Sequence, residues 1–355
     1  MNAPVSPPLR VGAPYIGQSI RRTEDERFLT GRAKYVGDFK LDGLLHAVIV
    51  RSPHAHARLV SIDRSKALGC PGVKAFFTYE DIAAYGAVIP VRLAPLPGVD
   101  RFLQEPLASD RVRYCGEPIG VIVATHRYLA EDALDAIEAE YEILDPVVNV
   151  AQALADQSVL HPTPGTNTAN RYVVSKGDVD GAFARAHYTR RESFRSHRHS
   201  AVMLETRGLV AAFDSAAKKL TVWGATKVPF FNRRTLANML KLPETEIEMM
   251  ELDVGGAFGV RGEFYPEDFL IPFAAMKLGA PVKWIEDRRE HFLSSNHARE
   301  MECELAVAFA KDGELLAMRG RICGDLGAYI RTAGGVGNAK AAQFLPGPYR
   351  LNNFS

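Results

Sequence analysis

Asp253-Val254-Gly255-Gly256-Ala257-Phe258-Gly259-Val260-Arg261-Gly262 is the stretch on which the reading of this chain turns. Four of the eight positions from Gly255 to Gly262 are glycine. A β-forming run, 247–254, leads into it, and an apolar run of helical length, 266–278, follows Tyr265. Glycines between a strand and a helix let backbone N–H groups approach an anion with no Cβ in the way. Arg261 would add a charge-assisted contact to a phosphate. The spacing fits neither GxGxxG nor GxxxxGK[ST], which sets aside the common dinucleotide and P-loop motifs. A tight strand-to-helix turn with no ligand stays open beside the anion-binding reading.

Outward from this loop, strands and helices alternate. Before it come strand candidates at 208–213 and 220–224, joined by a polar loop with Asp214 and Ser215, and then an amphipathic helix at 231–242 carrying Leu236, Met239 and Leu240. After it come a strand at 282–286 and a hairpin, 304–310 with 315–320, around Lys311-Asp312-Gly313. Arg288, Arg289 and Glu290 read as a solvated helix start. Towards the N-terminus, 44–50, 59–62 and 116–125 read as strands. Leu129, Ala133, Ile137 and Tyr141 recur at helical spacing, which predicts one helix over 128–141. The expected class is α+β, a mixed α/β fold. Pro146, Pro162 and Pro164 interrupt an aperiodic stretch, so the expected division is an N-terminal extension at 1–17, a first domain at 18–148, a linker at 149–168 and a second domain at 169–355.

Composition excludes several function classes. The chain has 355 residues, 47% hydrophobic and 24% charged, with a formal net charge of +1. That balance calls for no nucleic acid and no acidic membrane surface. Cys70, Cys115, Cys303 and Cys323 form no CxxC pair, so a sequence-local zinc or iron–sulfur site is not expected. They read as buried free thiols of a reducing compartment, Cys115 as a small core residue. Residues 1–10 hold three prolines and no apolar signal segment, and no window reaches the roughly 18 apolar residues of a membrane span. The expectation is a soluble, cytoplasmic protein. His54 and His56 share a strand face but have no third ligand nearby, so they are expected to be structural and hydrogen-bonded. Trp223 and Trp284 are expected in the core, and Glu205 as a buried, paired carboxylate.

Strand, GG-x-FG loop, Tyr265-Pro266-Glu267 and apolar helix together resemble the molybdopterin-binding large subunits of xanthine dehydrogenase, aldehyde oxidase and aerobic carbon monoxide dehydrogenase. Further stretches follow in the family's order. They are Ile16-Gly17-Gln18 through Asp38, Val50-Arg51-Ser52-Pro53-His54-Ala55-His56-Ala57, Arg111-Val112-Arg113-Tyr114-Cys115-Gly116-Glu117-Pro118, Met203-Leu204-Glu205-Thr206-Arg207-Gly208, Pro281-Val282-Lys283-Trp284 and Asp325-Leu326-Gly327-Ala328-Tyr329. The resemblance implies a hammerhead-like α/β domain followed by an incomplete first molybdopterin-binding domain. It implies that Gly255, Gly256, Ala257, Phe258, Gly259 and Arg261 bind the cofactor, a molybdopterin with molybdenum in the cytosine dinucleotide form. It also implies a small iron–sulfur subunit and a medium FAD subunit as partners, with a small-molecule substrate.

Two departures matter. Where the family has a Thr-Gln-x-Pro segment whose amide meets an oxo group on molybdenum, this chain has Thr226-Lys227-Val228-Pro229. Lys227 therefore joins the expected cofactor residues, as a cationic donor. Ala257 stands where glycine is usual, and Gly262 stands where xanthine-type enzymes carry an acidic substrate contact, which argues against purine hydroxylation. The family's catalytic glutamate belongs to the C-terminal half of the large subunit, so no catalytic residue and no metal ligand is expected here. Three readings follow: an incomplete large subunit, inactive alone; a split subunit completed by another chain; or a non-catalytic cofactor-binding or assembly module.

Overall fold

The run LHAVIVR, Leu45–Arg51, alternates Ala47 and Ile49 on one face with Val48 and Val50 on the other, and apolar residues cover both faces. This strand is the hinge of the architecture. The computed structural model describes residues 15–93, 97–224, 227–298, 300–331 and 334–355. Its strands are β1 (Leu45–Arg51), β2 (Ala57–Asp63), β3 (Val73–Phe77), β4 (Arg111–Val112), β5 (Pro118–Ala124), β6 (Glu138–Ile143), β7 (Tyr188–Ser196), β8 (Gly208–Asp214), β9 (Lys219–Gly224), β10 (Ile247–Glu251), β11 (Val282–Ile285), β12 (Glu300–Phe309) and β13 (Leu315–Asp325). The helices that matter here are α1 (Arg127–Asp132), α2 (Pro229–Leu240), α3 (Pro266–Leu278) and α4 (Arg288–Ser294).

A seven-stranded sheet runs β10-β9-β8-β11-β1-β5-β3. β1 pairs in parallel with β11, Leu45 opposite Val282, so strands from both sides of residues 149–168 share one sheet. The expected boundary divides the sequence but not this sheet. Nor is 149–168 a free linker. It contains a short helix, Val150–Leu154, and the Leu160 carbonyl accepts from Arg113 Nε at 2.9 Å. β5 is buried at every residue: α3 packs on it, Val121 and Val123 sharing that core, while Ile119, Ile122 and Ala124 share a second cluster with α1 and with residues of β2, β4 and β6. Side chains such as Val121, Ile122 and Val123 each contribute about 1.5–3 kcal/mol by leaving water.

The strands expected at 44–50, 116–125, 208–213, 220–224 and 282–286 match β1, β5, β8, β9 and β11 to within two residues, and β2 extends 59–62 at both ends. The helix expected over 128–141 is corrected. α1 ends at Asp132, a short 3-10 turn follows, and Glu138–Ile143 forms β6. The alternation in Glu-Ala-Glu-Tyr-Glu-Ile wins because β2 supplies ladder partners, Leu59 opposite Tyr141. The hairpin strands are longer than expected, and β7, which the sequence reading left out, joins them as a third strand.

The cysteines need correction as well. All four are free, but Cys115 is exposed and the other three are only half-buried. The solvated helix start is also corrected. Arg288 Nη2 donates to the Met203 carbonyl at 2.7 Å, and Glu290 is paired with Arg51, which leaves only Arg289 in water. His56 Nδ1 lies 2.8 Å from the Asp145 carbonyl and His54 packs edge-on against Tyr141, as structural histidines should. Trp284 is buried, and Trp223 is half-buried against Phe39.

Candidate functional site: a braced glycine loop

β10 delivers the chain into the glycine loop, and the loop's first residue is tied down by the N-terminal segment. Asp253 Oδ1 pairs with Arg27 Nη2 at 2.6 Å, Asp253 Oδ2 accepts from the Lys34 amide at 2.8 Å, and the Asp253 amide donates to the Lys34 carbonyl. The loop then lies on the segment Met203–Arg207. Glu205 and Gly255 bond through their backbones, and Glu205 Oε2 accepts from the Gly255 amide at 2.8 Å. There is no room for larger residues. A Cβ on Gly255 would stand 2.4 Å from Glu205 Cβ, and one on Gly256 would stand 3.0 Å from Met203 Cβ. The glycines are therefore partly a packing requirement.

Arg261 does not reach outward. Its side chain is 2% exposed and points back under the loop. Nε donates to the Gly256 carbonyl at 2.9 Å, and Nη2 donates to Glu205 Oε2 at 2.8 Å and to the Glu205 and Thr206 carbonyls. Burial pushes this guanidinium below its ordinary pKa, with Glu205 opposing the shift. Nε and Nη2 are committed inside the protein, where Arg261 braces the loop. Glu205 is the paired carboxylate that the sequence suggested.

The brace presents the rest of the loop to solvent. Gly256, Phe258 and Gly259 have φ values of 111°, 43° and 91°. A phenylalanine in the left-handed region is strained by roughly 1–3 kcal/mol, and its ring is 77% exposed rather than buried in compensation. Gly256, Ala257, Phe258 and Gly259 carry four consecutive amides with no acceptor among the described residues. Successive free N–H groups on alternating backbone conformations form an anion-binding concavity. Lys227 sits beside them. Its amide donates to the Arg261 carbonyl at 3.0 Å, and its stem covers Gly262, where a Cβ would stand 3.2 Å from Lys227 Cδ. The side chain is exposed, and no ion pair among the described residues uses its ammonium. Thr226, its neighbour in the expected segment, lies outside the described residues. The structure thus brings the residues expected at the cofactor together: Lys227, Phe258 and Gly259 are exposed, Ala257 is half-buried, Gly255 and Gly256 pack on the segment Met203–Arg207, and Arg261 supports the loop from within.

What the sequence reading missed is the foundation. Arg207 is buried between Glu286 (Nε to Oε1, 3.0 Å) and Glu267 (Nη1 to Oε2, 3.1 Å). Arg51 of β1 reaches Glu267 and Glu290, and His291 Nδ1 lies 2.9 Å from Glu286 Oε2. Arg207 also lies 3.8 Å from the Tyr265 ring centre, and Tyr265 Oη donates to the Val260 carbonyl. Charge from three parts of the chain thus converges under the loop. The arginines hold the Glu286 and Glu267 carboxyls below the usual carboxylate range despite full burial.

A second buried cluster invites a catalytic reading and does not support one. Glu117 accepts from Tyr329 Oη and from the Arg113 amide, and burial pushes its pKa up to about 7. Such shifts arise at functional carboxylates and in structural networks alike, and Glu117 is 1% exposed. A cavity of ≈850 Å³ near it, lined by Phe102, Arg113, His161 and Asp325 among others, includes no residue of the glycine loop. The glycine loop, by contrast, carries four neighbouring amides with no acceptor among the described residues. Glu117 instead yields a pH signature. A carboxyl raised from about 4.3 unfolded to about 7 folded loses stability as pH rises through that window. Burial lowers His161 to about 4, which works the other way as its unfolded form sheds a proton. Replacing Glu117 with Gln isolates the first effect. Relative to wild type, the variant should gain roughly 2–4 kcal/mol between pH 5 and pH 8, read from urea midpoints; a pH-independent difference would refute this.

With the site described, the class is settled. The chain belongs to the xanthine dehydrogenase, aldehyde oxidase and carbon monoxide dehydrogenase family of molybdopterin-binding large subunits, and it corresponds to their N-terminal half. The family description "Molybdopterin cofactor-binding domain" matches residues 160–355, and "Aldehyde oxidase and xanthine dehydrogenase, a/b hammerhead domain" matches residues 30–145. The chain is 40% identical to the 6-hydroxypseudooxynicotine dehydrogenase complex subunit gamma of Paenarthrobacter nicotinovorans, over 95% of this chain but 43% of that one. It is 30% identical to the nicotinate dehydrogenase large molybdopterin subunit of Eubacterium barkeri, covering 95% of this chain and 76% of that one. Among solved structures, quinoline 2-oxidoreductase of Pseudomonas putida 86 superposes with a TM-score of 0.87 at 37% identity, over 95% of this chain and 43% of that one. Among the described residues no helix is long and apolar enough to cross a membrane.

Proposed function

We propose that this chain grips the molybdopterin of a molybdenum hydroxylase through the 255–262 loop, and that the assembled enzyme hydroxylates an N-heterocyclic or aldehyde-type small molecule with water as oxygen source. The observation that carries this reading is the run of four acceptor-free amides, Gly256 to Gly259, held outward by a buried arginine. When bound, the molybdenum pterin supplies a two-electron oxidation that protein side chains cannot perform. The loop amides hold the cofactor's anionic part, and the exposed Phe258 ring shields it from water. Lys227 adds a cation with three donors and no acceptor at the loop's edge.

No carboxylate in the described site serves as the base. Glu267 and Glu286 are buried in ion pairs, and Glu205 is engaged by Arg261. The base comes from the rest of the large subunit, and this chain alone is inactive. Electrons leave to a small iron–sulfur subunit and a medium FAD subunit. We further propose the cytosine dinucleotide form of the cofactor and a cytoplasmic location, the latter on the four free thiols. An N-heterocycle is the favoured substrate because relatives named for nicotine-derived, nicotinate and quinoline compounds recur.

The test is the molybdenum, pterin and cytidine nucleotide content of the assembled native enzyme, with turnover on pyridines, quinolines and aldehydes. One molybdenum per large subunit is expected, and a freshly purified complex with none would overturn the reading. Lys227→Ala should alter the visible-to-near-ultraviolet charge-transfer bands of the loaded enzyme and slow turnover about tenfold or more. Unchanged bands and rate would remove Lys227 from the site. A second reading, a large subunit split over two polypeptides, is favoured by the shorter Eubacterium barkeri relative. The intact mass of the native polypeptide separates the two: a mass well above 39.0 kDa fits one continuous subunit.

A further inference from the structure

Two carboxylates tether the glycine loop, and each has its own arginine. Glu205 holds the Gly255 amide and is paired with Arg261. Asp253, at the loop's entrance, holds the Lys34 amide and is paired with Arg27. The two arginines differ in exposure. The Arg261 side chain is 2% exposed, whereas that of Arg27 is 45% exposed over an Asp253 carboxylate exposed by only 7%. Arg27 comes from the short helix Asp25–Leu29, none of whose residues is buried. Its guanidinium lies 5.2 Å from the Phe28 ring centre and 2.6 Å from Asp253 Oδ1.

Asp253 is held in place without Arg27. Oδ2 accepts from the Lys34 amide at 2.8 Å, and the Asp253 amide donates to the Lys34 carbonyl at 3.1 Å. What Arg27 adds is charge. Gly256, which has the first of the four acceptor-free amides, follows Asp253 by three residues, no more than about 11 Å of chain. An unpaired carboxylate at such range repels the anion that the amides attract. At the effective dielectric of a protein surface the repulsion weakens binding by roughly fivefold to tenfold.

We propose that Arg27 is a positioning residue for the cofactor: it neutralises Asp253 and so keeps negative charge away from the mouth of the anion-binding loop. The proposal rests on the reading that residues 255–262 hold an anionic cofactor. It adds to that reading a residue from the N-terminal segment, one that acts through Asp253.

The test is the rate at which the assembled enzyme loses molybdenum and pterin at a fixed temperature. It is compared at 0.1 M and 1 M sodium chloride, where the screening length is about 10 Å and about 3 Å. Arg27→Ala should lose both about fivefold faster than wild type at 0.1 M, and less than about twofold faster at 1 M. Arg27→Lys, which keeps the charge, should cut the deficit at 0.1 M to less than about twofold. Arg27→Ala combined with Asp253→Asn should do the same, because the asparagine oxygen still accepts from the Lys34 amide and has no charge. A deficit equal at both salts, or one that survives in the double variant, would make Arg27 a mechanical staple and overturn the proposal. So would an Arg27→Ala enzyme that keeps its cofactor as firmly as wild type. An assembled wild type with neither molybdenum nor pterin would instead sink the cofactor reading, and this proposal with it.

Discussion

Arg261→Ala empties the site: the assembled variant should carry at least tenfold less molybdenum and pterin per chain than wild type. Arg261 joins four acceptors on both sides of the loop, at Gly256, Glu205 and Thr206. Its removal leaves the Glu205 carboxylate, 19% exposed, without its partner and several inward-facing carbonyls without donors. Breaking a largely buried pair costs about 3–5 kcal/mol. Here the loss falls first on the loop, because Asp253 and the β10 ladder still hold its start. If about 3 kcal/mol falls on the binding-ready conformation, affinity drops roughly 100-fold. Arg261→Lys should recover only part of it, since one ammonium cannot span the carbonyls that the guanidinium fork reaches. Metal and pterin content equal to wild type would show that the loop holds its shape without the brace.

The second large effect concerns folding. Arg207→Met keeps an unbranched apolar stem, two atoms shorter, and removes the charge between Glu267 and Glu286, both 1% exposed or less. Two buried carboxylates then face each other, Glu267 with Arg51 and Glu286 with His291, Ser294 Oγ and the backbone amide of residue 207 as the remaining partners. The expected loss is about 3–5 kcal/mol, seen as a lower thermal midpoint and a lower soluble yield. The pH dependence has a definite sign. Carboxyls depressed in the folded state contribute stability above the unfolded value near 4.3 that disappears as pH falls. Without Arg207 that depression is lost, so the variant's deficit against wild type should be largest near neutral pH and should shrink as pH falls below about 4. A double change, Glu267→Gln with Arg207→Met, should regain part of the loss, because it removes the charge as well as its partner. If Arg207→Met unfolds at the wild-type temperature and pH, the network is not what joins β1 to the loop's foundation.

Both effects lie where sequence reasoning was weakest. The strand-loop-helix around Gly255 to Gly262 could be read directly, because glycine spacing and apolar periodicity are local properties. Glu205 could be read as a paired carboxylate, but its partner could not, since Arg261 lies 56 positions away. The same limit applies to Arg261. An arginine beside a glycine loop looks like a phosphate ligand until the fold shows which way it points. The misread helix over 128–141 has a related cause. Its 3.6-residue pattern and its alternation both fit the sequence, and the choice was made by β2 lying alongside.

By itself, the sequence determined most of the strand and helix segments, the glycine loop, the absence of a CxxC metal motif and the family, each carried by residues close together in the chain. Tertiary structure alone decided that β1 pairs with β11 across the expected boundary, that Arg261 turns inward while Lys227 stays out, and that Arg51, Arg207, Glu267 and Glu286 form one buried network. The reason is physical. A buried charge is tolerated only beside its counter-charge, and which counter-charge stands beside it is a matter of sheet order and packing, not of nearness in the chain.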